Sequence, residues 1–139
     1  MPHLKNRAEH DAQGHITALD LSGLKLDRVP SRIWELPHLT TLNLSENYLA
    51  SLPPEIGKLT RLQDLNISEN GLWTLPNEIG QLADLRQLAA WGNNLTRLPR
   101  GIGRLTKLHN LDLSENRLTS LPAEIGHLEK LQYLYLWGN

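Results

Sequence analysis

The stretch LHNLDLSENRLTSLPAEIGHLEK, Leu108 to Lys130, decides the reading of this chain, because Leu131 then opens the same pattern again. Stepping backwards by 23 residues from Leu131 lands on Leu108, Leu85, Leu62, Leu39 and Ile16. Within each unit the apolar residues fall in the order LxxLxLxxNxLxxLPxxIxxLxx. Self-similarity at a fixed period of this length is the signature of a solenoid, in which each unit packs mainly against its neighbours. Five full units begin at 16, 39, 62, 85 and 108, and a partial sixth begins at 131. That exceeds the roughly three that stacking requires.

The first part of each unit, for example Thr41-Leu-Asn-Leu-Ser45, alternates apolar and polar residues and predicts a short strand with one buried face. Stacked units make these strands parallel neighbours. Next comes Asn47, Asn70, Asn93, Asn116 and Asn139, one per unit from the second onward, where the chain must turn. A buried amide offers two donors and an acceptor, enough to satisfy turn backbone that no water reaches. These residues are expected to form a structural ladder. The second part reads LPxxIGxLxxL. Proline suits the first position of a helical turn, Ile and Leu then face inward, and Gly57, Gly80, Gly103 and Gly126 limit the run. A short 3₁₀ or α turn is predicted. A strand on one side and a wider turn on the other bend the stack, so the expected fold is an α/β solenoid. Its concave face is a parallel β-sheet, and its convex face carries short turns.

The ends depart from the pattern. Residues 1–15 match no unit and are expected to be a cap or a flexible lead, with the repeat domain covering 16–139. In the first unit Leu24 occupies the Asn position, and Trp34 and Pro37 replace later Gly and small or polar residues. Trp34 is expected to pack over the N-terminal end of the column. The last unit leaves Leu134 and Leu136 on an open edge, which predicts that the chain continues past Asn139 or pairs end to end with another molecule. Ala90 replaces an inward leucine and leaves a space unless Trp91 or Trp73 leans in.

Composition narrows the functional classes. The net charge of −1 gives no argument for nucleic acid or an anionic membrane. There is no cysteine, so no disulfide caps the column. The first ten residues hold no apolar run, and no window has the length of a membrane span, which points to a cytoplasmic protein with delivery into a host cell left open. The six histidines show no metal-ligand spacing. Every glycine that might suggest a phosphate loop belongs to the repeat, and Ser22, Ser45, Ser68 and Ser114 recur by position rather than as a nucleophile. No catalytic residue, metal or cofactor is expected. Asn43-Leu-Ser45, Asn66-Ile-Ser68 and Asn94-Leu-Thr96 match the glycosylation pattern only because the repeat generates them.

From Ile16 to Asn139 these units resemble the leucine-rich repeat family, and the LPxxIxxLxxL half resembles the 23-residue class of Ras-pathway scaffolds, plant intracellular Ras-group proteins and bacterial repeat proteins. The resemblance implies a curved, right-handed superhelix whose concave face binds another macromolecule, usually a protein.

On that face the period defines columns. One is Ala18, Thr41, Asp64, Gln87, Asn110, Tyr133; the next is Asp20, Asn43, Asn66, Ala89, Asp112, Tyr135. A third is Ser22, Ser45, Ser68, Trp91, Ser114, Trp137, edged by Gly23, Glu46, Glu69, Gly92, Glu115 and Gly138. Trp91, Tyr133, Tyr135 and Trp137 have two readings: interface anchors, or covers for the gap at Ala90 and for the last coil. Asp20, Glu46, Asp64, Glu69, Asp112 and Glu115 face the hollow with only Arg86 to oppose them, whereas Arg28, Arg32, Lys58, Arg61, Arg97, Arg100, Arg104 and Lys107 fall on the outer half. A partner with a basic surface suits such a hollow; a solvated polar face is the other reading. The function expected is a monomeric, non-enzymatic protein-interaction module, a scaffold in signalling. The alternatives are the recognition portion of a larger signalling enzyme or bacterial effector, and a self-associating solenoid.

Overall fold

A computed structural model describes residues 6–139. The expectations placed on residues 1–5 lie outside the described residues. Seven strands form one sheet in chain order: β1 (Ala8–His10), β2 (Ile16–Asp20), β3 (Thr41–Asn43), β4 (Asp64–Asn66), β5 (Gln87–Ala89), β6 (Asn110–Asp112) and β7 (Tyr133–Tyr135). From β2 to β7 the pairing is parallel and each residue meets the one 23 positions on, so Leu42, Leu65, Leu88, Leu111 and Leu134 fall in one row. The molecule is a curved solenoid with this sheet on its concave side.

The sheet is not wholly parallel. β1 runs antiparallel to β2 and covers its outer edge. Asp11 makes the tight connection: its Oδ1 accepts from the backbone N–H of Gln13 and of His15, both at 2.9 Å, and Gly14 supplies the positive φ of +84° that the turn needs.

Opposite the sheet stand 3₁₀ turns at Ser31–Glu35, Pro54–Lys58, Asn77–Gln81, Arg100–Arg104 and Ala123–His127. The repeat prolines do not begin these turns as expected. Pro53, Pro76, Pro99 and Pro122 sit one residue earlier with extended ψ of 146° to 158°. Each offers its carbonyl to the N–H of the Ile three residues on, at 3.0 to 3.1 Å. The fixed proline φ sets the approach, and its carbonyl closes the first turn. The glycines also do more than limit the run. A Cβ at Gly80 would lie 2.5 Å from the carbonyl oxygen of Gly101, and one at Gly103 would lie 2.6 Å from that of Glu124. Close approach of successive coils requires these glycines.

Between the layers runs a leucine and isoleucine column, with Leu44, Ile67, Leu72, Leu95 and Leu113 fully buried. Trp34 is buried in the same core. Ala90 is fully enclosed, while Trp73 is 50% exposed and lies under the Arg117 guanidinium, 5.3 Å from the ring centre.

Candidate functional site

The strands fix which side chains share the concave surface. Register aligns Ala18, Thr41, Asp64, Gln87, Asn110 and Tyr133 in one row, and Asp20, Asn43, Asn66, Ala89, Asp112 and Tyr135 in the next. Asp64 and Asn110 are half-buried and Gln87 is exposed. Tyr133 and Tyr135 are 54% and 42% exposed, with near-parallel rings whose centres are 6.3 Å apart. On β3 to β5, separated from these rings by β6, a shallow hollow of ≈ 290 Å³ is lined by Thr41, Asn43, Asp64, Asn66, Gln87 and Ala89. It lies where Ala89 interrupts a row of larger polar side chains.

The second row has a structural duty that sequence reasoning missed. Asp20, Asn43, Asn66 and Asp112 each accept, through Oδ1, the backbone N–H of the serine two residues on, at 2.9 to 3.1 Å. These side chains hold the chain in the turn that ends each strand. Asp112 therefore has one carboxylate oxygen committed before any partner arrives. The signal was the recurring Asx-x-Ser. Where it lapses, at Ala89 and Tyr135, the residue two positions on is Trp91 or Trp137, and glycine follows.

The third row corrects an expectation. Ser45, Ser68 and Ser114 are buried rather than facing the hollow, and Trp91 is half-buried; Trp137 is 63% exposed. The strand has already ended there, and the tightening turn draws these residues under the sheet edge. Glu46, Glu69 and Glu115 follow, all exposed, in the left-handed region at φ of 56°, 52° and 52°. Among the described residues no ion pair engages Glu46, Asp64, Glu69, Asp112 or Glu115. Asp20 differs: Arg7 Nη1 lies 3.9 Å from its Oδ1.

Behind the turns lies the asparagine ladder. Asn47 Nδ2 donates to the carbonyls of Leu21, Leu44 and Ser45, and its Oδ1 accepts from Leu24 and Leu26 N–H. Asn70, Asn93 and Asn116 repeat this bonding one coil at a time, and Asn139 reaches Leu113 and Leu118 in the same way. Leu24, standing where this amide would be, is met by the amide of the next coil.

This bonding between coils, together with the period, agrees with the comparison against family models. A model described as "Leucine-rich repeat region" matches residues 13–93 and 77–139. The chain belongs to the leucine-rich repeat family. A leucine-rich repeat protein of Leptospira interrogans is 37% identical with a TM-score of 0.79, over 96% of this chain and 38% of that one. The ectodomain of the Arabidopsis thaliana receptor kinase GASSHO1/SCHENGEN3, solved with Casparian strip integrity factor 2, is 32% identical with a TM-score of 0.85, over 95% of this chain and 17% of that one. The Arabidopsis receptor kinase HAESA, solved with the peptide hormone IDA and a co-receptor, is 29% identical with a TM-score of 0.73, over 95% of this chain and 28% of that one. This leucine-rich repeat chain thus spans well under half the length of each. A comparison with curated protein sequences found no match. No helix among the described residues is long and apolar enough to cross a membrane.

Proposed function

We propose that this leucine-rich repeat chain is a non-enzymatic interaction module that binds another protein on its concave sheet. The observation that carries this reading is the continuous outward surface of β4 to β7. At one end of it Asp64 and Glu69 have no ion-pair partner among the described residues, and at the other end, three strands along, stand the exposed, stacked rings of Tyr133 and Tyr135. Aromatic side chains with an apolar body and a polar tip are the groups that most often anchor interfaces. Acidic groups without internal partners steer and orient a basic surface. The hydrogen-bonded coils hold this surface ready, so little conformational freedom is lost on binding. That several similar solved structures carry a peptide or protein ligand supports the same class of partner.

A larger hollow of ≈ 470 Å³ lies on the outer half among Asp27, Arg28, Trp34, Glu35, Glu55 and Lys58. It mixes three carboxylates with two cations, so it lacks the one-signed character of the concave side. The absence of cysteine suits a reducing compartment, and a cytoplasmic scaffold in signalling is the role we assign.

Affinity capture, identification of the retained protein and direct titration test this reading. The variant to compare carries Tyr133→Ala and Tyr135→Ala, with its fold checked by circular dichroism. The pair of truncations is expected to weaken binding by about tenfold or more. Unchanged affinity would place the site elsewhere.

A further inference from the structure

The residue that precedes each repeat unit forms a polar row along one edge of the solenoid: His15, His38, Arg61, Asp84 and Lys107. Its members meet from coil to coil. The imidazoles of His15 and His38 stack with ring centres 4.0 Å apart and planes 17° apart. Arg61 Nη1 lies 3.2 Å from His38 Nδ1, and Lys107 Nζ donates to Asp84 Oδ1 at 2.5 Å. At the N-terminal end Asp11 joins the row, its Oδ2 lying 3.0 Å from His15 Nδ1. One ligand atom each from Asp11, His15 and His38 lies within 4.8 Å of the other two.

We propose that Asp11, His15 and His38 form a binding site for a divalent transition metal of the zinc type, clamping the β1–β2 hairpin to the second coil. Two imidazoles and one carboxylate are a donor set that zinc accepts, with water completing the coordination. The carboxylate is already oriented, because the backbone N–H groups of Gln13 and His15 hold its other oxygen. Stacked rings do not share an ion as they stand, since each lone pair lies in its ring plane. Both rings must turn about the Cβ–Cγ bond, which the exposure of His15 and partial exposure of His38 permit.

Arg61 gives this site a distinguishing property. A guanidinium only donates, so its bond to His38 requires a lone pair on Nδ1. A neutral imidazole has one lone pair. Metal bound at Nδ1 displaces Arg61 directly, and metal bound at Nε2 moves the ring proton to Nδ1 and breaks the same bond. Either way Arg61 competes with the ion, by its hydrogen bond and by its charge. Removing Arg61 therefore strengthens binding here, whereas it has no such effect on ions held by scattered surface histidines.

The test is calorimetric titration of the untagged full chain with zinc chloride near neutral pH, alongside His15→Ala, His38→Ala and Arg61→Ala. The parent is expected to bind one ion per chain, with the two histidine variants weaker by about tenfold or more and Arg61→Ala tighter by about threefold. Zinc is also expected to raise the thermal midpoint of the parent but not of His38→Ala, and circular dichroism checks that each variant is folded. Absence of binding, binding that survives His15→Ala or His38→Ala, or weaker binding in Arg61→Ala would each overturn the proposal.

Discussion

Asn93 and Leu72, 21 residues apart in the chain, share a hydrogen bond in the buried interior: the Leu72 N–H donates to Asn93 Oδ1 at 3.1 Å. The same amide donates to the carbonyls of Ile67 and Ala90, so one side chain joins two coils. Replacing Asn93 by Ala strips the Leu72 N–H of its acceptor where no water enters. Such a loss costs about 2 to 3 kcal/mol. Asn139 makes equivalent bonds but is exposed, so water takes over, and Asn139→Ala is expected to cost less than about 1 kcal/mol. Urea unfolding of the two variants checks this ordering; equal losses would contradict it.

The ladder illustrates what was legible from the chain alone. Period, strand positions, ladder asparagines and inward leucines all follow from one register, and Leu42 to Leu134 fall where the 23-residue step places them. The turn residues were harder. Ser68 and Ser114 stand two places beyond their strands, and side-chain alternation ceases to hold once the backbone bends. The hairpin of β1 was hidden because Ala8-Glu-His10 has no alternation of its own and gains its strand only by pairing with β2. His15 and His38 show no local motif; only the period, applied to a position with no evident role, brings them together.

The buried serines carry the next expectation. The hydroxyls of Ser68 and Ser114 have no hydrogen-bond partner among the described residues, whereas Ser45 Oγ donates to Asn43 Oδ1 at 2.8 Å. An unpaired buried hydroxyl is unfavourable, so Ser68→Ala and Ser114→Ala should be neutral or stabilising by up to about 1 kcal/mol. Ser45→Ala should be destabilising. Thermal unfolding distinguishes them, and a clear loss at Ser68 would reveal a partner for its hydroxyl.

Glu46 occupies a left-handed backbone position, φ 56°, that Gly23, Gly92 and Gly138 fill in other coils. A side chain there costs about 1 kcal/mol, offset in part by the greater freedom of an unfolded glycine. Glu46→Gly is therefore expected to raise the thermal midpoint slightly. A fall of several degrees would mean that the glutamate side chain holds a contact stronger than its strain.

Acid should weaken one link of the edge row in a predictable direction. The hydrogen bond from Lys107, reinforced by its charge, holds Asp84 below the usual aspartate range. A depressed folded-state value means that the unfolded chain takes up the proton first as pH falls. The contribution is therefore present above about pH 4 and is lost as pH falls through the folded value. Lys107→Met removes it. Urea midpoints measured across the acid range should fall less steeply in that variant than in the parent; identical slopes would show that the pair is silent in solution.

If the concave, acidic side is the binding surface, inverting its charge should disrupt binding while inverting the outer charges should not. The most direct measurement is the affinity of the captured partner for three folded proteins. They are the parent, a concave variant with Asp64→Lys and Glu69→Lys, and a convex variant with Lys58→Glu and Arg104→Glu. A loss of about tenfold or more is expected for the concave variant and a change within about twofold for the convex one. The reverse pattern, with binding lost only when the outer charges are inverted, would contradict it.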